Sequence, residues 1–73
     1  MARLLSKIEA KDLVLCILKE NRTLSTRDIE MEIFRRNFQC PDTTARTLNG
    51  MRLDSIIKGE LSFKKKAWLW QLN

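Results

Sequence analysis

Residues 61–72, Leu61-Ser62-Phe63-Lys64-Lys65-Lys66-Ala67-Trp68-Leu69-Trp70-Gln71-Leu72, change the period of the chain. Leu61 and Phe63, then Trp68, Trp70 and Leu72, recur at a spacing of two, which places them on one face of a strand. Three lysines separate the two runs. The stretch reads as two short strands around a basic turn. What precedes it follows helical periods, so the expected class is α+β, with three helices first and a two-stranded hairpin last.

Upstream, Ser6 followed by Glu9 is a capping-box pattern that opens a helix over residues 6–21. Its apolar band, with Ile8, Leu13, Val14, Leu15, Cys16, Ile17 and Leu18, is wider than one stripe and predicts a central helix. Arg22, Thr23 and Leu24 form a connector with a brief extended segment. Ser25 and Asp28 cap a second helix over residues 25–37, whose apolar side is Ile29, Ile33 and either Met31 or Phe34. Arg35 and Arg36 fall in its last turn, where the helix dipole favours cations. Pro41 cannot continue a helix but can begin one, so either Cys40 or Asp42 caps a third helix over residues 42–58, with Gly59 as its C′ residue. On it Ala45, Leu48, Leu53 and Ile56 share a face, onto which Asn49 and Arg52 also fall; Gly50 marks a bend. The expected core is Ile8, Leu13, Ile17, Ile29, Ile33, Leu48, Ile56, Phe63 and Trp68, with Trp70 beside Trp68 over the open end of the helices. Leu4 and Leu5 either extend the first helix or pack across a dimer.

The 73 residues allow one domain, 1–73, and 44% of them are apolar. A chain of this size buries about 60% of its unfolded surface, so most apolar residues must enter the core. The longest apolar run, Leu13 to Leu18, is far short of the roughly 20 residues that span a bilayer. Without a membrane span or a leader pattern, the expected location is intracellular, cytoplasmic or nucleoid-associated, with no membrane partner. Histidine is absent, which removes the commonest general base and the commonest metal ligand together. Cys16 and Cys40 are too few for a structural zinc, and Cys16 reads as a small core residue. There is no Gly-rich phosphate loop. The expectation is a protein that is not an enzyme and takes no metal or cofactor. Fourteen Lys and Arg against nine Asp and Glu give a net charge of +5, which favours an anionic partner, nucleic acid first.

Five stretches carry a family resemblance. They are Thr23-Leu24-Ser25-Thr26-Arg27-Asp28-Ile29, the turn from Phe38 to Pro41, Thr43-Thr44-Ala45-Arg46-Thr47-Leu48, Ile57-Lys58-Gly59-Glu60-Leu61, and the basic hairpin before Trp68. In this order, over nearly the whole chain, they resemble a winged helix-turn-helix domain. The length of the third helix and the shortness of the hairpin turn depart from the family pattern. The resemblance implies a third helix in the major groove and a hairpin wing on the phosphate backbone or minor groove of double-stranded DNA.

The chemistry of the residues fits that use. Thr43, Arg46, Thr47 and Gly50 lie away from Ala45 and Leu48. Arginine can bond guanine through two donors, and threonine offers a hydroxyl and a methyl to base edges. Thr44 and Asn49 lie at the border of the same face. Lys64, Lys65 and Lys66 suit phosphate contacts, which position a protein without reading sequence. The function expected is a small sequence-specific double-stranded DNA-binding protein, a transcriptional regulator or an accessory protein of a mobile element. One such domain covers a short footprint, which calls for a homodimer or neighbouring copies. The alternative is a winged-helix adaptor with a protein partner, favoured by the acidic side Asp28, Glu30 and Glu32 of the second helix and by exposure of Leu69 and Met51.

Overall fold

Two capping boxes set the first half of the molecule. In the computed structural model, which describes residues 3–73, the Ser6 hydroxyl accepts from the Glu9 N–H while the Glu9 carboxylate accepts from the Ser6 N–H, and α1 runs over Lys7–Glu20. Ser25 and Asp28 repeat the arrangement at the start of α2, Thr26–Arg35. Each box satisfies two backbone donors that a helix start leaves open. Asn21 closes α1, its side chain and backbone N–H both donating to the Ile17 carbonyl. Met1 and Ala2, part of the expected domain 1–73, lie outside the described residues.

The class is α+β. Three helices pack with a three-stranded antiparallel sheet of order β2-β5-β4, where β2 is Leu24–Ser25, β4 is Ile57–Ser62 and β5 is Ala67–Leu72. The extended segment at Leu24 is thus a third strand beside the hairpin, pairing Leu24 with Trp70 and Ser25 with Leu69. A second, two-stranded parallel sheet joins β1, Arg3–Leu4, to β3, Phe38–Gln39. It settles the N-terminal leucines: neither extends α1, Leu4 is exposed, and Leu5 is buried.

The third helix differs most from expectation. It spans Thr44–Leu53, not 42–58, and its N-cap is Thr43, whose hydroxyl accepts from the Arg46 N–H, rather than Cys40 or Asp42. Ser55, at φ 61°, ends it: the Ser55 N–H donates to the Arg52 carbonyl and the Ile56 N–H to the Met51 carbonyl, both at 3.0 Å. This is the 6→1 and 5→2 pairing of a Schellman motif, made with serine where glycine is usual. Gly59 is therefore not a C′ residue. It lies inside β4 opposite Trp70, and a Cβ there would sit 2.5 Å from the indole Cζ3.

The core gathers Val14, Ile17, Leu18, Ile29, Ile33, Leu48, Met51, Ile57 and Trp70. Of the expected core, Ile17, Ile29, Ile33 and Leu48 are there, Leu13 and Ile56 are half-buried, and Ile8, Phe63 and Trp68 are exposed. Most of the departures have an identifiable cause. The buried stripe of α1 is Ala10, Val14, Ile17 and Leu18; at about 100° per residue, Ile8 lies some 200° from Ala10. Cys16 is likewise exposed. On α2 only Ile29 and Ile33 are buried, and both Met31 and Phe34 face outward. On α3 the buried residues are Thr44, Leu48 and Met51, which leaves Ala45 and Leu53 in solvent. The left-handed Ser55 rotates the chain so that Ile57, not Ile56, enters the core. Trp70 is 4% exposed and Trp68 41%, because Trp70 has a strand on either side and Trp68 only β4.

Candidate nucleic-acid interface

With Thr44, Leu48 and Met51 turned inward, the outer ridge of α3 is Arg46, Asn49 and Leu53, all exposed. These are one helix turn apart, or close to it. Thr43 is exposed at the N-cap, and Thr47 is half-buried. Thr44, only 8% exposed, is not brought to this surface. Gly50 is half-buried, with nothing within 4 Å of where a Cβ would be.

Arg46 and Asn49 are held by neighbours. The Arg46 guanidinium lies 3.6 Å from the Asp42 carboxylate, one helix turn away and largely in water. Such an exposed pair contributes about 0–1 kcal/mol, so the guanidinium can exchange it for another anion. The Asn49 amide oxygen accepts two bonds from Arg52, at 2.8 and 3.2 Å. The same Arg52 guanidinium stands 5.8 Å over the Trp68 ring, so this side chain joins α3 to the hairpin.

Two cations outside the expected set stand beside this ridge. Lys7 and Lys11, one turn apart on α1, border a shallow hollow of about 220 Å³ with Asp42, Arg46, Thr47 and Gly50. Lys11 Nζ is 4.0 Å from the Asp54 carboxylate. The i,i+4 spacing of two lysines on a helix already read as capped at Ser6 was the available signal. What it could not give is that α1 and α3 meet there.

Lys64, Lys65 and Lys66 are exposed in the turn that joins β4 to β5. Lys66 takes φ 52°, and the Lys65 N–H donates to the Ser62 hydroxyl at 3.3 Å. Among the described residues no ion pair involves any of the three. The arginines at the end of α2 differ. Arg35 makes two bonds to Glu32, and Arg36 pairs with Glu20 at 2.8 Å and Glu32 at 3.5 Å. The Arg35 hydrogen bond is the main cause holding the Glu32 carboxyl below its ordinary value, and the bond to Glu20 is the main cause raising the Arg36 guanidinium. The acidic side of α2 is therefore partly neutralised from within.

The two cysteines are free. Burial pushes the Cys40 thiol up, against a smaller opposing effect of the Thr44 hydroxyl, which favours the thiol over the nucleophilic thiolate. Among the described residues no three His, Cys, Asp or Glu side chains converge as metal ligands, and no helix is long and apolar enough to cross a membrane. Compared with protein-family models, with curated proteins and with solved structures, the chain matches none.

Proposed function

We propose that this protein binds double-stranded DNA as a winged helix-turn-helix domain, with α3 in the major groove and the β4–β5 hairpin as a wing on the phosphate backbone. The reading makes it a sequence-specific binder, a transcriptional regulator or mobile-element accessory protein, with no catalytic chemistry of its own. The observation that carries it is the sorting of the cations. Arg35 and Arg36 are consumed by Glu20 and Glu32. Lys64, Lys65 and Lys66 have no carboxylate partner among the described residues, and Lys7, Lys11 and Arg46 meet at one hollow beside the outer ridge of α3. Three lysines without a carboxylate partner at the hairpin turn, and beside the helix ridge Lys7 with the loosely held Lys11 and Arg46, match an anionic rod better than a neutral surface.

Within this reading the roles divide. Arg46 is the base-reading candidate, with Thr43, Thr47 and Asn49 beside it, and the lysine turn contacts phosphates. Lys7 and Lys11 add phosphate contacts from α1. The test is selection from random duplexes, followed by shift assays. Replacing Lys64, Lys65 and Lys66 with Ala should weaken all duplexes alike and flatten the slope of log K against log salt by roughly 0.9 for each phosphate no longer neutralised. Arg46→Ala should cost about 1–3 kcal/mol on the selected site and relax preference at one or two base pairs. Failure to enrich any duplex at near-physiological salt sinks the reading.

A second reading, a protein-binding adaptor, is favoured by one observation. Met31 and Phe34, exposed on α2, border an open groove that Phe38 and Cys40 also line. Met51, by contrast, is fully buried and Leu69 half-buried, so neither supports it. An adaptor would elute early from heparin and ignore duplex sequence.

A further inference from the structure

Phe63 opens the turn Phe63–Lys66, just past the last ladder pair, Ser62 with Ala67, and is 85% exposed. No other large apolar side chain of the described residues is so open to water. Lys64, Lys65 and Lys66 follow it immediately. An exposed apolar ring followed in the same turn by three exposed lysines fits a partner that is anionic at its surface and apolar just beneath. A DNA duplex has that construction: phosphates line the groove, and the stacked bases between them part to admit a flat side chain.

We infer that Phe63 is an apolar wedge that enters a base step of bound duplex, so that the protein unstacks and bends DNA as it binds. The inference rests on the DNA-binding reading above and adds a deforming activity to it. A wedge needs a stiff mount, and the hairpin supplies one. Trp68 stacks on Trp70 with ring centroids 5.7 Å apart, the Arg52 guanidinium covers Trp68, and the Trp70 indole N–H donates to the Thr26 hydroxyl at 2.8 Å. The exposed tip is thereby tied through two indoles to α2 and α3. The lysines and the ring contribute differently: the lysines release counterions, whereas a neutral ring leaves the salt dependence untouched.

The test uses a closed-circular plasmid that carries repeated copies of the duplex enriched by selection, relaxed by topoisomerase I in the presence of the protein. Wedge insertion unwinds the duplex and shifts the linking number of the product. Phe63→Ala should lose the shift and bind with an unchanged slope of log K against log salt. Phe63→Leu should retain the shift, since leucine also serves as a wedge. A thermal melt of Phe63→Ala matching the parent shows that the tip, not the fold, was altered. If the parent binds plasmid without changing its linking number, or Phe63→Ala gives the parental shift, the wedge is overturned and the DNA-binding reading stands. If the parent binds no plasmid, both fall. Retention on phosphatidylserine vesicles that depends on Phe63, without plasmid unwinding, would make the tip a membrane anchor and overturn the wedge as well.

Discussion

Both parts of the β4–β5 hairpin carry large aromatic side chains, and the fold treats them in opposite ways. At the base, Trp70 is flanked by Leu24 of β2 and Gly59 of β4, its ring fills the space that a side chain at residue 59 would take, and its N–H is bonded to Thr26. At the tip, Phe63 and the three lysines stand in water, and Trp68 is half-covered by Arg52. Aromatic content alone does not separate them. What separates them is the length of β2: it pairs only Ser25 and Leu24 with Leu69 and Trp70, so the sheet is three strands wide at Trp70 and two strands wide from Trp68 to the tip. A third strand and the helices behind it make the base part of the core. Beyond that strand the hairpin is an arm.

The contrast predicts that the fold's stability depends on the base and little on the tip. Trp70→Ala should cost about 3–5 kcal/mol in denaturant unfolding, a large part of the roughly 5–15 kcal/mol that holds a small domain. Phe63→Ala, at an exposed turn, should stay within about 0.5 kcal/mol of the parent. Comparable losses for the two would erase the distinction between base and tip.

Gly59→Ala probes the same packing from the opposite strand. Its Cβ would fall 2.5 Å from Trp70 Cζ3 and 2.8 Å from Cε3, so the ring must move; about 1–3 kcal/mol is expected from such overpacking. An unchanged melting temperature and an unchanged Trp70 environment would show that the base is looser than described. A smaller effect is expected of Thr26→Val, which keeps the shape of the side chain and removes the acceptor of the Trp70 N–H. It should cost about 1 kcal/mol by denaturant titration, with no effect on how Lys64, Lys65 and Lys66 respond to salt.

The smallest effect lies outside the hairpin. The Ser6 backbone N–H, with lesser contributions from the Ser6 hydroxyl and Arg3, holds the Glu9 carboxyl below its ordinary value. A depressed carboxyl stabilises the fold above its unfolded pKa, and this contribution is lost as pH falls through the folded value. Melting temperature should therefore fall on acidification from neutral pH into the carboxylate range. Glu9→Gln should remove part of that sensitivity. Equal acid sensitivity in parent and variant would mean that the box at α1 contributes little.

The helix starts were legible because their determinants are neighbours in sequence. Ser6 with Glu9 and Ser25 with Asp28 read as boxes and are boxes. The hairpin was legible from the alternation of Trp68, Trp70 and Leu72, though β4 begins at Ile57, four residues before Leu61. Of the candidate interface, Arg46 and Asn49 were found on an exposed ridge, and the lysine turn in solvent. Thr44 was not, because the face of a short helix depends on what packs against it: residues 44, 48 and 51, rather than 45, 48 and 53, meet the core. Lys7 and Lys11 were not legible, because their relation to Arg46 exists only once α1 and α3 are side by side.

By itself, then, the sequence determined what local chemistry determines: where α1 and α2 begin, that Asn21 ends the first, that the last run pairs as a hairpin, and that the net charge is +5. The tertiary structure alone decided which face of the third helix meets the core, which tryptophan is buried and where Phe63 goes. The reason is the range of the interactions. A cap is settled within about four residues. The burial of Trp70 depends on Leu24 and Thr26, more than forty positions away, and no window along the chain contains them together.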